Sequence, residues 1–121
     1  MTKVQIYTGE YLEQSLEELL EEIKTAIKGL YADCKIILFG SFARGEQTKD
    51  SDLDLCVLVP ELTDRRSEMA VDVMLAIRRK LGKFSVPYEL LLFTFDEFEE
   101  DKENEYLVQN RIFNEVVVLA G

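Results

Sequence analysis

Leu53–Val59 is the stretch that most narrows the folds open to this chain. Pro60 closes it, and a residue without an N–H cannot continue a β-ladder. Side chains alternate across a strand, so Asp54, Cys56 and Leu58 share one face and Leu55, Val57 and Val59 the other. Both faces are largely apolar and both need cover. The segment is therefore expected inside a layered α/β structure, with part of the cover on the carboxylate-bearing side expected from a second chain.

The flanking segments supply the layers. Leu12, Leu16, Leu19, Leu20, Ile23, Ile27 and Leu30 recur in steps of three and four, predicting one amphipathic helix over Tyr11–Tyr31. Cys34–Phe39 reads as a buried strand that enters a turn at Gly40-Ser41, followed by a polar loop over Arg44–Ser51. Met69, Val73, Met74, Ile77 and Leu81 form a second helical stripe within Asp64–Leu81, with Gly82 as its stop. Glu89–Thr94 is expected as a third strand, and Thr94-Phe95-Asp96-Glu97 has the form of a capping box. A further helix is expected from Asn104, turning Tyr106, Leu107, Ile112 and Phe113 inward. Val116–Leu119 fits either the end of that helix or a strand. No linker or repeat divides the chain, so 1–121 is expected to be one domain: a small mixed β-sheet with helices packed mainly on one face.

Composition removes several classes of chemistry. Histidine is absent, which excludes Ser-His-Asp and Cys-His catalysis and His-containing zinc sites. Cys34 and Cys56 stand in or beside apolar segments without metal-ligand spacing and are expected as buried thiols. With 24 acidic against 14 basic residues the net charge is −10, which disfavours a broad nucleic-acid-binding face. The acidic runs Glu10–Glu22 and Asp96–Glu105 read as the wet faces of helices. Neither a membrane-length apolar run nor a leader-like N-terminus is present, so a cytoplasmic location is expected.

The chemistry is concentrated in Gly40-Ser41-Phe42-Ala43-Arg44-Gly45 and Ser51-Asp52-Leu53-Asp54-Leu55. Asp52 and Asp54, two residues apart on a strand, set two carboxylates side by side, an arrangement that calls for a cation between them. Such oxygen donors suit a hard divalent ion, Mg²⁺ foremost. Upstream, Gly40 allows a sharp turn, and the Ser41 hydroxyl and neighbouring amides can donate to phosphate oxygens, with Arg44 adding a charge-assisted contact. Glu89, opening the next strand, is the candidate third acid of a two-metal site whose ions stand about 3.5–4 Å apart.

Those two motifs, with Tyr88-Glu89-Leu90-Leu91-Leu92-Phe93-Thr94-Phe95-Asp96-Glu97-Phe98, resemble the DNA polymerase β-like nucleotidyltransferase superfamily, and within it the minimal nucleotidyltransferases. The resemblance runs from about Tyr11 to Leu119. It implies the nucleotidyltransferase fold and two Mg²⁺ ions on Asp52, Asp54 and Glu89 as catalytic and metal-binding residues. It also implies ATP as substrate, with Gly40, Ser41, Arg44 and Ser51 at the nucleotide phosphates. The family usually carries Asp where this chain has Glu89. Members of the branch commonly pair with a HEPN-domain protein as the antitoxin of a toxin–antitoxin system, transferring AMP to a tyrosine of the toxin, binding it, or both. A chain of 121 residues leaves little surface for an acceptor, which agrees with a protein acceptor that brings its own binding energy. Two alternatives stand beside this one: a binding module that neutralises its partner without catalysis, and a small-molecule nucleotidyltransferase of the antibiotic-modifying type. The nucleotide base, the acceptor hydroxyl and homo-oligomer formation stay open.

Overall fold

The computed structural model describes residues 3–7, 11–46, 52–81, 88–115 and 117–120. The elements run β1 (Lys3–Tyr7), β2 (Tyr11–Ser15), α1 (Leu16–Leu30), β3 (Lys35–Phe39), α2 (Gly40–Arg44) and β4 (Leu53–Val59). There follow α3 (Arg66–Leu81), β5 (Tyr88–Thr94), α4 (Phe95–Asp101), α5 (Val108–Glu115) and β6 (Val117–Ala120). The main sheet is mixed and four-stranded, in the order β5-β4-β3-β6. β4 runs parallel to β5 and antiparallel to β3, and β6 is antiparallel to β3.

The two faces of β4 divide the core. Leu53, Leu55, Val57 and Val59 pack with Ile36 and Leu38 of β3 beneath Leu19, Ile23 and Ile27 of α1 and Met69, Val73, Ile77 and Leu81 of α3. The two long helices thus share one face, and each projects every third or fourth residue into it. On the other face Cys56 and Leu58 lie with Ile37 and Phe39 under Phe98 of α4 and Ile112 of α5. The chain's own short helices cover the middle of this face, leaving Cys56 and Leu58 at 0% and 2% exposure, while Asp54, Leu91 and Phe93 remain partly exposed and Glu89 exposed.

Several boundaries depart from the sequence reading. Tyr11–Ser15 is not the first turn of α1 but a strand, paired antiparallel with β1 from Lys3↔Ser15 to Tyr7↔Tyr11. A ladder to a neighbouring strand overrides helical spacing that Leu12 alone extended. Gly40-Ser41 opens the short helix α2 directly, rather than a turn. α5 starts at Val108 rather than Asn104, because Asn104 makes a turn of its own: its Oδ1 accepts from the Tyr106 amide at 3.1 Å and its carbonyl from the Leu107 amide at 3.0 Å. The inward face of α5 is consequently Gln109 and Ile112, while Tyr106, Leu107 and Phe113 are exposed, Tyr106 at 88%. Val117–Ala120 resolves as a strand, and Gly82 lies outside the described residues.

Other expectations hold. The capping box at Thr94 is present, with the Glu97 amide donating to Thr94 Oγ1 at 3.1 Å and the Thr94 amide donating to Glu97 Oε1 at 2.8 Å. Glu97 is more than part of a wet face, since Arg66 of α3 grips both its oxygens at 2.9 and 2.5 Å and also donates to the Leu92 carbonyl. Cys34 and Cys56 are buried free thiols. Among the described residues no helix is long and apolar enough to cross a membrane.

Candidate active site

β3 ends where β4 and β5 begin, so one edge of the sheet gathers the C-terminal end of the first and the N-terminal ends of the others. In this register Phe39 stands opposite Asp54, and Asp54 opposite Glu89. Asp54 and Glu89 therefore project from adjacent strands on the face that carries Cys56, Leu58, Leu91 and Phe93. Asp52 precedes β4 by one residue and is exposed, as is Glu89, while Asp54 is half-buried.

The bend after β3 closes over the same point. Gly40 has φ +74°, in the left-handed region where a side chain is strained. Space is withheld as well: a Cβ on Gly40 would collide with Asp54 Oδ2 and stand 3.0 Å from its Cγ. The glycine is needed for two reasons, then, and the second ties the Gly-Ser bend directly to the carboxylate. Gly45 takes φ +71° after Arg44 and closes α2, its amide donating to the Phe42 carbonyl at 3.3 Å.

Electrostatics mark Asp54 as the centre of the cluster. Burial pushes its carboxyl above the usual carboxylate range, the Glu89 charge adds to the rise, Arg111 of α5 opposes it, and hydrogen bonding with Glu89 and the Asp52 charge raise it further. Two acids sharing one site in this way make a donor set that a hard cation would relieve. Among the described residues, no three His, Cys, Asp or Glu side chains are already drawn together to hold a metal ion. The donor chemistry and the close Gly40 approach nevertheless fit a divalent cation at Asp52, Asp54 and Glu89.

Of the seven residues singled out by sequence, Gly40, Asp54 and Glu89 meet at one point, Asp52 adjoins them, and Ser41 follows Gly40 in α2. Arg44 lies one turn beyond Ser41, exposed, with its Nε on Glu46 Oε2 at 3.0 Å. Ser51 lies outside the described residues. The sequence reading missed Arg111, whose guanidinium is 5.8 Å from the Phe39 ring centroid and whose charge is felt at Asp54. Nothing local in Asn110-Arg111-Ile112 marks it; the docking of α5 on β3 places it there. The groove of about 520 Å³ between α3 and β5, lined by Arg66, Ser67, Ala70 and Leu90–Phe93, includes none of the three acids.

A family model described as "Nucleotidyltransferase domain" matches residues 16–115. The chain belongs to that family. It is 31% identical over 77 residues to "Putative protein adenylyltransferase MJ0141" of Methanocaldococcus jannaschii, covering 62% of this chain and 72% of that protein. It is 48% identical over 42 residues to "Putative protein adenylyltransferase MJ1379" of the same organism, covering 35% of this chain but only 42% of the relative. Among solved structures, a crystal structure of a toxin-antitoxin with AMP-PNP superposes with a TM-score of 0.56 at 20% identity, over 84% of this chain and 73% of that one. That likeness bears on the fold, and this nucleotidyltransferase-domain protein shares it.

Proposed function

We propose that this chain transfers a nucleoside monophosphate, AMP from ATP, onto a hydroxyl of a partner protein, as the antitoxin of a pair with a HEPN-domain toxin. One observation carries the catalytic part: Asp54 lies opposite Glu89 and directly against the positive-φ Gly40, so acids and phosphate-cradling bend share one point. The names of the two relatives support AMP transfer to protein, and the toxin-antitoxin title of the structural neighbour supports a partner. The HEPN identity of that partner rests on the sequence resemblance.

In this reading Gly40 lets the backbone approach the polyphosphate, while Ser41 and the first amides of α2 donate to its oxygens. Asp52, Asp54 and Glu89 would hold Mg²⁺, two ions in the full arrangement, which would supply charge neutralisation and polarisation of the acceptor hydroxyl. The acceptor oxygen forms a bond to the α-phosphorus, the bond to the bridging oxygen breaks, and pyrophosphate leaves. Glu89, exposed at the strand entry, would accept the hydroxyl proton. Positioning and charge stabilisation do most of the work in such displacements.

The test incubates the chain with radiolabelled ATP, Mg²⁺ and the purified partner, followed by mass spectrometry of the partner. An AMP increment that disappears in Asp54→Asn supports transfer. No increment, with inhibition of the partner undiminished by Asp52→Asn and Asp54→Asn together, replaces it with a binding module.

A further inference from the structure

α5 is held on the carboxylate face by Ile112, which is fully buried against β3 and β4, and by Asn110, whose Nδ2 donates to the Lys102 carbonyl at 2.8 Å. Between these two anchors stands Arg111, exposed, with its guanidinium beside the Phe39 ring. Phe39 is the residue opposite Asp54 and immediately precedes Gly40. The helix thus delivers a fixed cation to the junction of the acid cluster and the Gly-Ser bend. A polyphosphate arriving beside three carboxylates brings a surplus of negative charge to a chain whose net charge is already −10, and a cation held at that junction offsets it. Arg44, the arginine in the sequence motif, has its Nε on Glu46.

We propose that Arg111 is a phosphate-binding residue of this site: its guanidinium, over the ring of Phe39, the residue opposite Asp54, contacts the polyphosphate of the bound nucleotide. The proposal rests on the nucleotidyltransferase reading and adds a ligand from outside both motifs. A planar fork suits phosphate oxygens bidentately, and a lysine at 111 keeps the charge without the fork.

The experiment is calorimetric titration of the full chain, in Mg²⁺, with a non-hydrolysable ATP analogue and separately with inorganic tripolyphosphate. Wild type, Arg111→Met and Arg111→Lys are compared, with folding checked by circular dichroism and melting. Arg111→Met is expected to weaken both ligands about tenfold to a hundredfold, the span of one charge-assisted contact, and Arg111→Lys to restore part of that loss. Unchanged affinity in Arg111→Met overturns the proposal, as does weakened analogue binding with tripolyphosphate unaffected. Should Arg111→Met fail to fold, Arg111→Lys decides: wild-type affinity for both ligands overturns the proposal. Absence of nucleotide binding by the wild type fells the nucleotidyltransferase reading itself, so the two failures are distinguishable.

Discussion

Replacing Gly40 by alanine should damage stability and the site together, and the structure permits the two losses to be separated. At φ +74° a Cβ costs about 1–2 kcal/mol of backbone strain. The same Cβ meets Asp54 Oδ2 and the carboxyl carbon at 3.0 Å, with the Asp54 Cβ at 3.3 Å, so the carboxylate must rotate or the strand must shift. Together these predict a loss of about 1–3 kcal/mol, a fall in Tm of roughly 4–15 °C for a domain of this size. Misplacing a reacting group by about 1 Å can cost about 100-fold in rate. Gly45→Ala is the matched control, because Gly45 has φ +71° but nothing within 4 Å of its would-be Cβ. It should show the strain alone, with AMP transfer unchanged. The assays are thermal unfolding and labelled-AMP transfer on wild type and both variants. Equal transfer by Gly40→Ala and wild type would refute the claim that the bend and Asp54 are sterically joined.

Asp54→Asn should abolish transfer yet raise Tm at neutral pH in the absence of divalent cations. The folded-state pKa of Asp54 lies above its unfolded value, so ionisation opposes folding above that range; the gain should vanish as pH falls below both values. Glu97 is the opposite case: the Arg66 guanidinium, with the Thr94 amide, holds its carboxyl down to about 2, so its stabilisation is complete above about 4.5 and lost as pH falls towards 2. At 40% and 37% side-chain exposure the Arg66–Glu97 pair is partly screened, and Glu97→Gln should cost no more than about 1 kcal/mol at pH 7 by chemical denaturation. Cys56, with burial pushing its thiol up to about 12, and buried Cys34 should resist a thiol-titrating disulfide reagent in the native protein and react at once in denaturant.

Sequence made the two faces of β4 legible because strand alternation is strict: Asp54, Cys56 and Leu58 fall on one side and Leu55, Val57 and Val59 on the other without reference to anything distant, whereas Asp52 lies one residue before the strand. The long α3 stripe was legible from its helical spacing, which turns Met69, Val73, Ile77 and Leu81 inward, although Met74, counted with them, is exposed. What local pattern failed to show was decided by partners remote in sequence. Tyr11–Ser15 became a strand because Lys3–Tyr7 pairs with it. Phe113 stayed half-exposed with Lys102 4.9 Å above its ring, although its apolarity suggested the core. Arg111 came to the site through the docking of a helix that starts some fifty residues after the acid motif, a distance no motif spans.

In the proposed mechanism Asp52, Asp54 and Glu89 hold divalent cations against a nucleotide polyphosphate cradled at Gly40-Ser41. Anomalous diffraction at the manganese edge, from crystals grown with Mn²⁺ and a non-hydrolysable ATP analogue, tests it most directly. Manganese is expected within bonding distance of Asp52 and Asp54, with phosphate oxygens on the Gly40-Ser41 bend. Manganese and phosphates bound elsewhere, with those two carboxylates bare, would contradict it.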